Sequence, residues 1–215
     1  MKTYTAAAFD MDGLMFDTED VYWKAADALL KRRGFAYTRE LCSQIMGRPP
    51  EFCFTLLKER FALPERWQDL HAESEVLFLE ILKDGFSMMP GLIELLEHLE
   101  RRKIPKAVCT SSAVRVAREV LGNYDMMPRF QFVLTAENIT RGKPDPQIFQ
   151  KAAEQFKVEP SDMVVFEDSM AGIAAAAAAG AFAVAVLAEH NRDNDYSNAS
   201  LVVNRLDDER VLKLF

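Results

Sequence analysis

Two pairs of acidic residues in this chain directly follow short apolar segments. Asp10 and Asp12 come after the segment Tyr4 to Phe9, and Glu167 and Asp168 come after a second short apolar run. Carboxylates gathered in this way repel one another unless a cation lies among them. Oxygen ligands without nearby histidine or cysteine suit Mg²⁺, which also keeps water and binds phosphate oxygens. The pattern therefore predicts a magnesium site.

A hydroxyl cluster and a lysine complete the set of residues that could do chemistry. Thr110 and Ser111 follow the apolar run 107–109, and Lys143 lies in the segment Gly-Lys-Pro-Asp-Pro at 142–146. With a metal ion these groups could bind a phosphoryl group, while one aspartate attacks phosphorus and another carboxyl protonates the leaving oxygen. Taken singly, each cluster also has a structural explanation as a turn, a helix cap or a solvated lysine.

The elements that must position these residues are short strands alternating with helices. Apolar runs typical of buried strands occur at 4–9, 107–109, 130–134, 163–166, 182–187 and 201–203. Helical patterns separate them, which predicts an α/β fold with a Rossmann-like parallel sheet covered on both faces. Ligands bind at the carboxyl ends of the strands in such sheets, so we expect the four polar clusters to meet there.

Residues 18–85 interrupt this alternation with apolar residues at helical spacing only. Four helices are predicted in it, starting near Thr18, Thr38, Pro49 and Glu65. Thr18 is expected to cap the first helix with its side chain. We therefore predict two domains, an α/β core of residues 1–17 and 86–215 and an inserted all-helical domain of residues 18–85.

Four segments taken together resemble the ordered motifs of the haloacid dehalogenase superfamily. They are Phe-Asp-Met-Asp-Gly-Leu-Met-Phe-Asp-Thr-Glu at 9–19, Cys-Thr-Ser-Ser at 109–112, Gly-Lys-Pro-Asp-Pro at 142–146 and Phe-Glu-Asp-Ser-Met-Ala-Gly-Ile at 166–173. The resemblance covers essentially the whole chain. It is strongest to the phosphatase and β-phosphoglucomutase-like branch, in which a helical cap follows the first motif, and residues 18–85 fit that cap.

The resemblance implies a role for each matching residue. Asp10 would be the nucleophile and a Mg²⁺ ligand, and Asp12 the general acid and base, with its backbone carbonyl also binding the metal. Thr110 and the backbone of Ser111 would hold the phosphoryl group.

In the later motifs, Lys143 would bridge the phosphoryl group to the nucleophile. Asp168 would bind Mg²⁺ directly, and Glu167 would lie near the metal or contact it through water. In the helical cap, the pair Gly47 and Arg48 is the best candidate for touching the substrate.

The function implied is a Mg²⁺-dependent phosphatase acting on a small phosphorylated metabolite such as a sugar phosphate. Dehalogenases and phosphonatases of the superfamily lack an acid at the position of Asp12, which argues against those activities. A phosphosugar mutase is an alternative, although Tyr22 stands where mutases of this branch carry a histidine. A non-catalytic ligand-binding module is a third, and it would be expected to have lost Asp10, Asp12 or Asp168.

Composition limits the partners and the compartment. The formal net charge of −7 argues against a nucleic-acid or anionic-membrane surface as the main partner. The odd number of cysteines, Cys42, Cys53 and Cys109, predicts neither a disulfide framework nor a zinc site, and we expect buried, reduced thiols. The N-terminal segment lacks the features of a signal peptide, so a cytoplasmic location is expected. No feature indicates an oligomeric state.

Overall fold

The computed structural model describes residues 2–45 and 48–215, except for the side chain of His190. The chain forms two compact units. One consists of Met1–Asp17 together with Ser87–Phe215, and the other of Thr18–Phe86. We call the first the core unit and the second the helical unit.

The strands all belong to the core unit. In chain order they are β1 (Ala6–Phe9), β2 (Phe16–Asp17), β3 (Ser87–Met88), β4 (Lys106–Cys109), β5 (Phe132–Leu134), β6 (Met163–Glu167), β7 (Phe182–Val186) and β8 (Leu201–Val203). Six of them form a parallel sheet in the order β5-β4-β1-β6-β7-β8, and β2 pairs with β3 in antiparallel orientation. The first strand thus lies in the middle of the sheet, between β4 and β6.

Helices make up the rest of the regular structure. The helical unit contains α1 (Glu19–Lys31), α2 (Arg39–Ile45), α3 (Pro50–Arg60) and α4 (Trp67–Ile81). The core unit contains α5 (Leu92–Arg101), α6 (Val114–Gly122), α7 (Gln147–Phe156), α8 (Met170–Ala179) and α9 (Glu209–Leu212). None of the helices in the described ranges is long and apolar enough to cross a membrane.

The central strands of the sheet are buried because helices pack on the sheet and most of the strand residues are apolar. All four residues of β1 are fully buried. Ala6 and Ala8 belong to a core cluster with Phe149 of α7 and Ala176 of α8. The small side chains of α8 allow a helix to approach the sheet closely, which explains its alanine-rich sequence without a functional role.

The helical unit has its own apolar core and a half-buried ion-pair network. Leu30, Leu41 and Leu57 form the centre of its apolar cluster. Arg33, two residues after the end of α1, donates hydrogen bonds to Glu65 at 2.9 Å and to Glu73 of α4 at 2.6 Å. These bonds join the two helices that pack most extensively within the unit.

The predicted fold class, a Rossmann-like α/β core with an inserted helical region, is confirmed. Two details were wrong. Thr18 precedes α1, but among the described residues its side chain makes no capping hydrogen bond, and its backbone lies in the helical rather than the extended region. Cys109 is buried as expected, whereas Cys42 and Cys53 are only half-buried, and all three are free thiols.

Candidate active site

The carboxyl ends of three neighbouring strands bring the predicted residues together. Asp10 follows β1, Thr110 follows β4, and Glu167 and Asp168 lie at the end of β6. The register places Phe9 opposite both Val108 and Phe166, so these strand ends are level. In the sheet order, β4 and β5 lie on one side of β1, and β6, β7 and β8 lie on the other. The strand order therefore reverses next to β1, and open α/β sheets bind ligands beyond the carboxyl ends of the strands at such a position.

Lys143 reaches this edge from the loop between β5 and α7. Its ammonium group donates to Asp10 Oδ1 at 2.5 Å, to Glu167 Oε1 at 2.6 Å and to the backbone carbonyl of Cys109 at 2.9 Å. The three donors of the ammonium group are matched by these three acceptors. Burial acts to lower the pKa of Lys143, but the carboxylates of Asp10 and Glu167 outweigh it and raise the pKa above its usual range. The lysine is therefore charged and fixed in place.

Glu167 is fully buried and hydrogen-bonded at both oxygens. Oε1 accepts from Lys143, while Oε2 accepts from the backbone N–H groups of Asp168 and Ser169 and from the Ser169 hydroxyl at 2.9 Å. The Ser169 oxygen in turn accepts from the N–H of Gly172, so this serine caps α8. A Cβ atom at Gly172 would lie 1.8 Å from Glu167 Oε1, which makes glycine necessary for this arrangement.

Asp12 is held by hydroxyl groups of the loop after β4. The Ser112 hydroxyl donates to Asp12 Oδ2 at 2.7 Å, and the Thr110 hydroxyl approaches the same oxygen at 3.4 Å. Thr110 Oγ1 also accepts from the N–H of Ser112 at 3.0 Å. The suggestion that this loop caps the next helix is wrong, because the first N–H of α6 donates to Glu137 instead.

Three carboxylates of this cluster can share one cation. Asp10, Glu167 and Asp168 each offer an oxygen, and these atoms lie within 4.8 Å of one another. Burial raises the pKa of Asp10 well above its usual range; the charge of Lys143 opposes this shift, and neighbouring carboxylates add to it. A divalent ion would favour the ionised form of these groups, and an all-oxygen donor set suits Mg²⁺. The residues therefore fit the metal that the sequence predicts.

Not every predicted residue lies in this cluster. Ser111 is exposed in the loop after β4, and the hydroxyl that contacts Asp12 most closely from this loop is that of Ser112. Arg48 lies in the helical unit, with its guanidinium carbon 5.2 Å from the ring centre of Phe52. Gly47 lies outside the described residues.

The structure adds three polar residues to which the sequence gave no role. Ser112 bonds to Asp12, and both Asn191 and Tyr196 donate to the backbone carbonyl of Asp168. Burial raises the pKa of Tyr196 to about 12, so this phenol is a donor at neutral pH. The Asp-Ser-Met sequence after β6 carries no signal for these partners, since they come from a loop more than twenty residues further along the chain.

Cys109 lies at the end of β4 beside this cluster, but it is not a competing nucleophile. Burial raises the pKa of its thiol to about 12, so the thiol is protonated at neutral pH. Because the thiolate is the reactive form, this residue contributes its backbone carbonyl to Lys143 and its side chain to the core.

Fold and site together define a class of protein. It is an α/β protein in which a lysine-anchored cluster of carboxylates lies at the carboxyl ends of the central parallel strands. The model of the family described as haloacid dehalogenase-like hydrolase matches residues 7–186. The chain belongs to that family, which confirms the resemblance seen in the sequence.

Similar proteins of known name include phosphatases. The chain is 35% identical over 179 residues to the phosphorylated carbohydrates phosphatase of Thermotoga maritima, covering 81% of each chain. It is 34% identical over 214 residues to the "Probable pseudouridine-5'-phosphatase" of Drosophila melanogaster, covering 97% of this chain and 92% of that one. The crystal structure of β-phosphoglucomutase from Clostridium difficile superposes with a TM-score of 0.81 at 23% identity, covering 95% and 92% of the two chains. This last likeness establishes the fold alone.

Proposed function

We propose that this protein is a Mg²⁺-dependent phosphatase that hydrolyses small phosphorylated metabolites, such as sugar phosphates, through an aspartyl-phosphate intermediate. The observation that carries the proposal is the buried ion pair between Lys143 and Asp10, set within a cluster of further carboxylates. The names of two relatives, a phosphatase of phosphorylated carbohydrates and one of pseudouridine 5'-phosphate, support the substrate class. The cytoplasmic location expected from the sequence stays a prediction.

Asp10 is the proposed nucleophile. Its carboxylate attacks phosphorus, so a bond forms from Asp10 to phosphorus as the bond to the substrate's bridging oxygen breaks. Lys143 holds one carboxylate oxygen at 2.5 Å, which orients the nucleophile and places a positive charge beside the phosphoryl group. The fixed contacts of Lys143 to Glu167 and to the Cys109 carbonyl mean that little reorganisation is needed during the reaction.

Asp10 and Asp168, with the backbone carbonyl of Asp12, are the proposed Mg²⁺ ligands, and Glu167 lies close behind them. When bound, the ion supplies positive charge that stabilises the phosphoryl group during transfer. Glu167 is proposed to act mainly by holding Lys143, since both of its oxygens already accept hydrogen bonds.

Asp12 is the proposed general acid and base. In its protonated form it gives a proton to the leaving oxygen of the substrate, which departs as an alcohol. The resulting carboxylate then removes a proton from water, which attacks the aspartyl phosphate at phosphorus and releases inorganic phosphate and free Asp10. The Ser112 hydroxyl, at 2.7 Å, orients the Asp12 carboxyl for both steps. The Thr110 hydroxyl and the Ser111 N–H are proposed to bind the phosphoryl oxygens.

Phosphate release from a panel of metabolites tests the proposal. Sugar phosphates and pseudouridine 5'-phosphate are incubated with the metal-stripped protein, with and without Mg²⁺, and with Asp10→Asn as the matched control. We expect release only with Mg²⁺, and a loss of several orders of magnitude in Asp10→Asn because it removes the attacking carboxylate. Circular dichroism confirms that this variant is folded.

Other outcomes distinguish the remaining functions. Release that persists in EDTA, or activity of Asp10→Asn within tenfold of wild type, would contradict the mechanism. An isomeric sugar phosphate without free phosphate would indicate a mutase. Binding of the metabolites without turnover of any would indicate a non-catalytic module.

A further inference from the structure

Two buried polar side chains converge on the backbone carbonyl oxygen of Asp168. Asn191 Nδ2 donates to this oxygen at 3.0 Å, and the Tyr196 hydroxyl donates to it as well. Asn191 is 2% exposed and Tyr196 9% exposed. Both residues come from the segment that follows β7, so a separate part of the chain determines the direction of this carbonyl.

The two donors are themselves fixed. Asn191 Nδ2 also donates to the carbonyl of Val186 at 3.2 Å, and its Oδ1 accepts from the N–H of Ala188 at 2.7 Å. The side chain therefore links the end of β7 to the end of β6. The ring of Tyr196 lies in the core cluster that includes Ile173 of α8. Neither donor can follow the carbonyl if it rotates without breaking other contacts.

A fixed carbonyl restricts the side chain of the same residue. The carbonyl direction sets the peptide plane between Asp168 and Ser169, and this limits the directions in which the Cβ of Asp168 can leave the backbone. With the carbonyl held in this way, the Asp168 carboxylate lies within 4.8 Å of the oxygens of Asp10 and Glu167. A metal site needs ligands that are already in position before the ion binds. Residues that hydrogen-bond to the ligands, without touching the metal, hold them in that position.

We propose that Asn191 and Tyr196 are positioning residues that orient Asp168 for binding Mg²⁺. The inference rests on the proposed function, in which Asp168 is a metal ligand. The alternative is that the two side chains only satisfy a buried carbonyl, which would make them contribute to stability and not to metal affinity.

The two roles are separated by measuring Mg²⁺ binding to the full-length, metal-stripped protein by calorimetry, together with Tm in the absence and presence of Mg²⁺. Tyr196→Phe removes one hydroxyl and leaves the ring in the core. Tyr4→Phe is the matched control, because Tyr4 is equally buried at 9% exposure and lies before β1, at the opposite end of that strand from Asp10. Asn191→Ala removes the second donor.

We expect Tyr196→Phe and Asn191→Ala each to weaken Mg²⁺ binding about tenfold, the lower end of the range for outer partners of metal ligands. The concentration of Mg²⁺ for half-maximal phosphate release should rise by the same factor, while KM for the substrate at saturating Mg²⁺ stays within twofold. Tyr4→Phe should bind Mg²⁺ as wild type does. The metal-free Tm of Tyr196→Phe should fall below that of Tyr4→Phe, because Tyr196→Phe removes a hydrogen bond to a buried carbonyl.

Two results would overturn the inference in different ways. Mg²⁺ affinity within twofold of wild type in both variants, with a lowered metal-free Tm, would show a purely structural role. If wild-type protein itself bound no Mg²⁺, the proposed metal site would fail, and the positioning role with it.

Discussion

Gly172→Ala tests whether Glu167 must keep its position to hold the Lys143 side chain at the centre of the site. A Cβ atom at residue 172 would lie 1.8 Å from Glu167 Oε1 and 2.2 Å from Oε2. The carboxylate cannot remain where it is at such distances, and it is fully buried. Moving it breaks the 2.6 Å bond from Lys143 and the bonds from Asp168 and Ser169 to Oε2.

The size of the effect follows from those contacts. Removing one partner of a buried ion pair costs about 3–5 kcal/mol, and displacement of Glu167 should fall at the lower end because the charge remains nearby. Alanine is favoured over glycine in a helix by about 1 kcal/mol, which offsets part of the loss. The free energy of unfolding should therefore fall by about 2 kcal/mol, or roughly 4–8 °C in Tm for a chain of this size. Phosphate release should fall at least tenfold, since Lys143 is no longer held against Asp10.

Gly122→Ala is the matched control. Gly122 ends α6, and a Cβ atom there would meet nothing within 4 Å. Its Tm should stay within about 2 °C of wild type by the same conversion, and its activity should be unchanged. Thermal unfolding by circular dichroism and phosphate release with the best metabolite are measured on both variants. If Gly172→Ala matched Gly122→Ala in both, the placement of Glu167 against Lys143 would be refuted.

Two further predictions concern the ion pairs of Glu100 and the helical unit. Hydrogen bonds from Arg129 and Lys106 hold the pKa of Glu100 to about 2, below its usual value, so its stabilising effect is full above about pH 4.5 and is lost as the pH falls toward 2. Glu100→Gln should lower Tm by roughly 2–4 °C at pH 7, and the difference from wild type should shrink at pH 3; a constant difference would contradict this. If Arg48 binds the non-transferred part of the substrate, Arg48→Ala should lower kcat/KM for the best metabolite, by an amount equivalent to roughly 1–3 kcal/mol of lost transition-state stabilisation. The kcat/KM for a small aryl phosphate should be almost unaffected. An equal decrease in kcat/KM for both substrates would show that Arg48 does not determine substrate preference.

The strands, and the polar residues at their carboxyl ends, could be predicted because both depend on local sequence. Short apolar runs bounded by polar residues predicted β1, β4 and β6, and the strand-end rule for parallel sheets then gathered Asp10, Thr110 and Asp168 without knowledge of the strand order. The two-residue pairing of β2 with β3 was missed. A pair that short has no periodicity to detect, and its partners are seventy residues apart.

Side-chain partners within the site could not be predicted, because they depend on which loops the fold brings together. Ser112 reaches Asp12 across about one hundred residues of sequence. Asn191 and Tyr196 lie in a polar segment that resembles an ordinary surface loop, yet both are buried. A polar residue in a loop has the same local pattern whether it faces solvent or a buried carbonyl.

Glu167 and Asp168 show how neighbouring acidic residues can take separate tasks. The Glu167 side chain accepts from Lys143 at one oxygen and from three donors at the other, so its charge is committed to holding the lysine. In Asp168 it is the backbone carbonyl that is held, by Asn191 and Tyr196, while the carboxylate belongs to the cluster with Asp10. Because the two oxygens of Glu167 already accept hydrogen bonds, the carboxylate of Asp168 can serve the metal while Glu167 serves the lysine. The buried charges are costly for stability, and their arrangement around Asp10 is best explained by the reaction proposed for it.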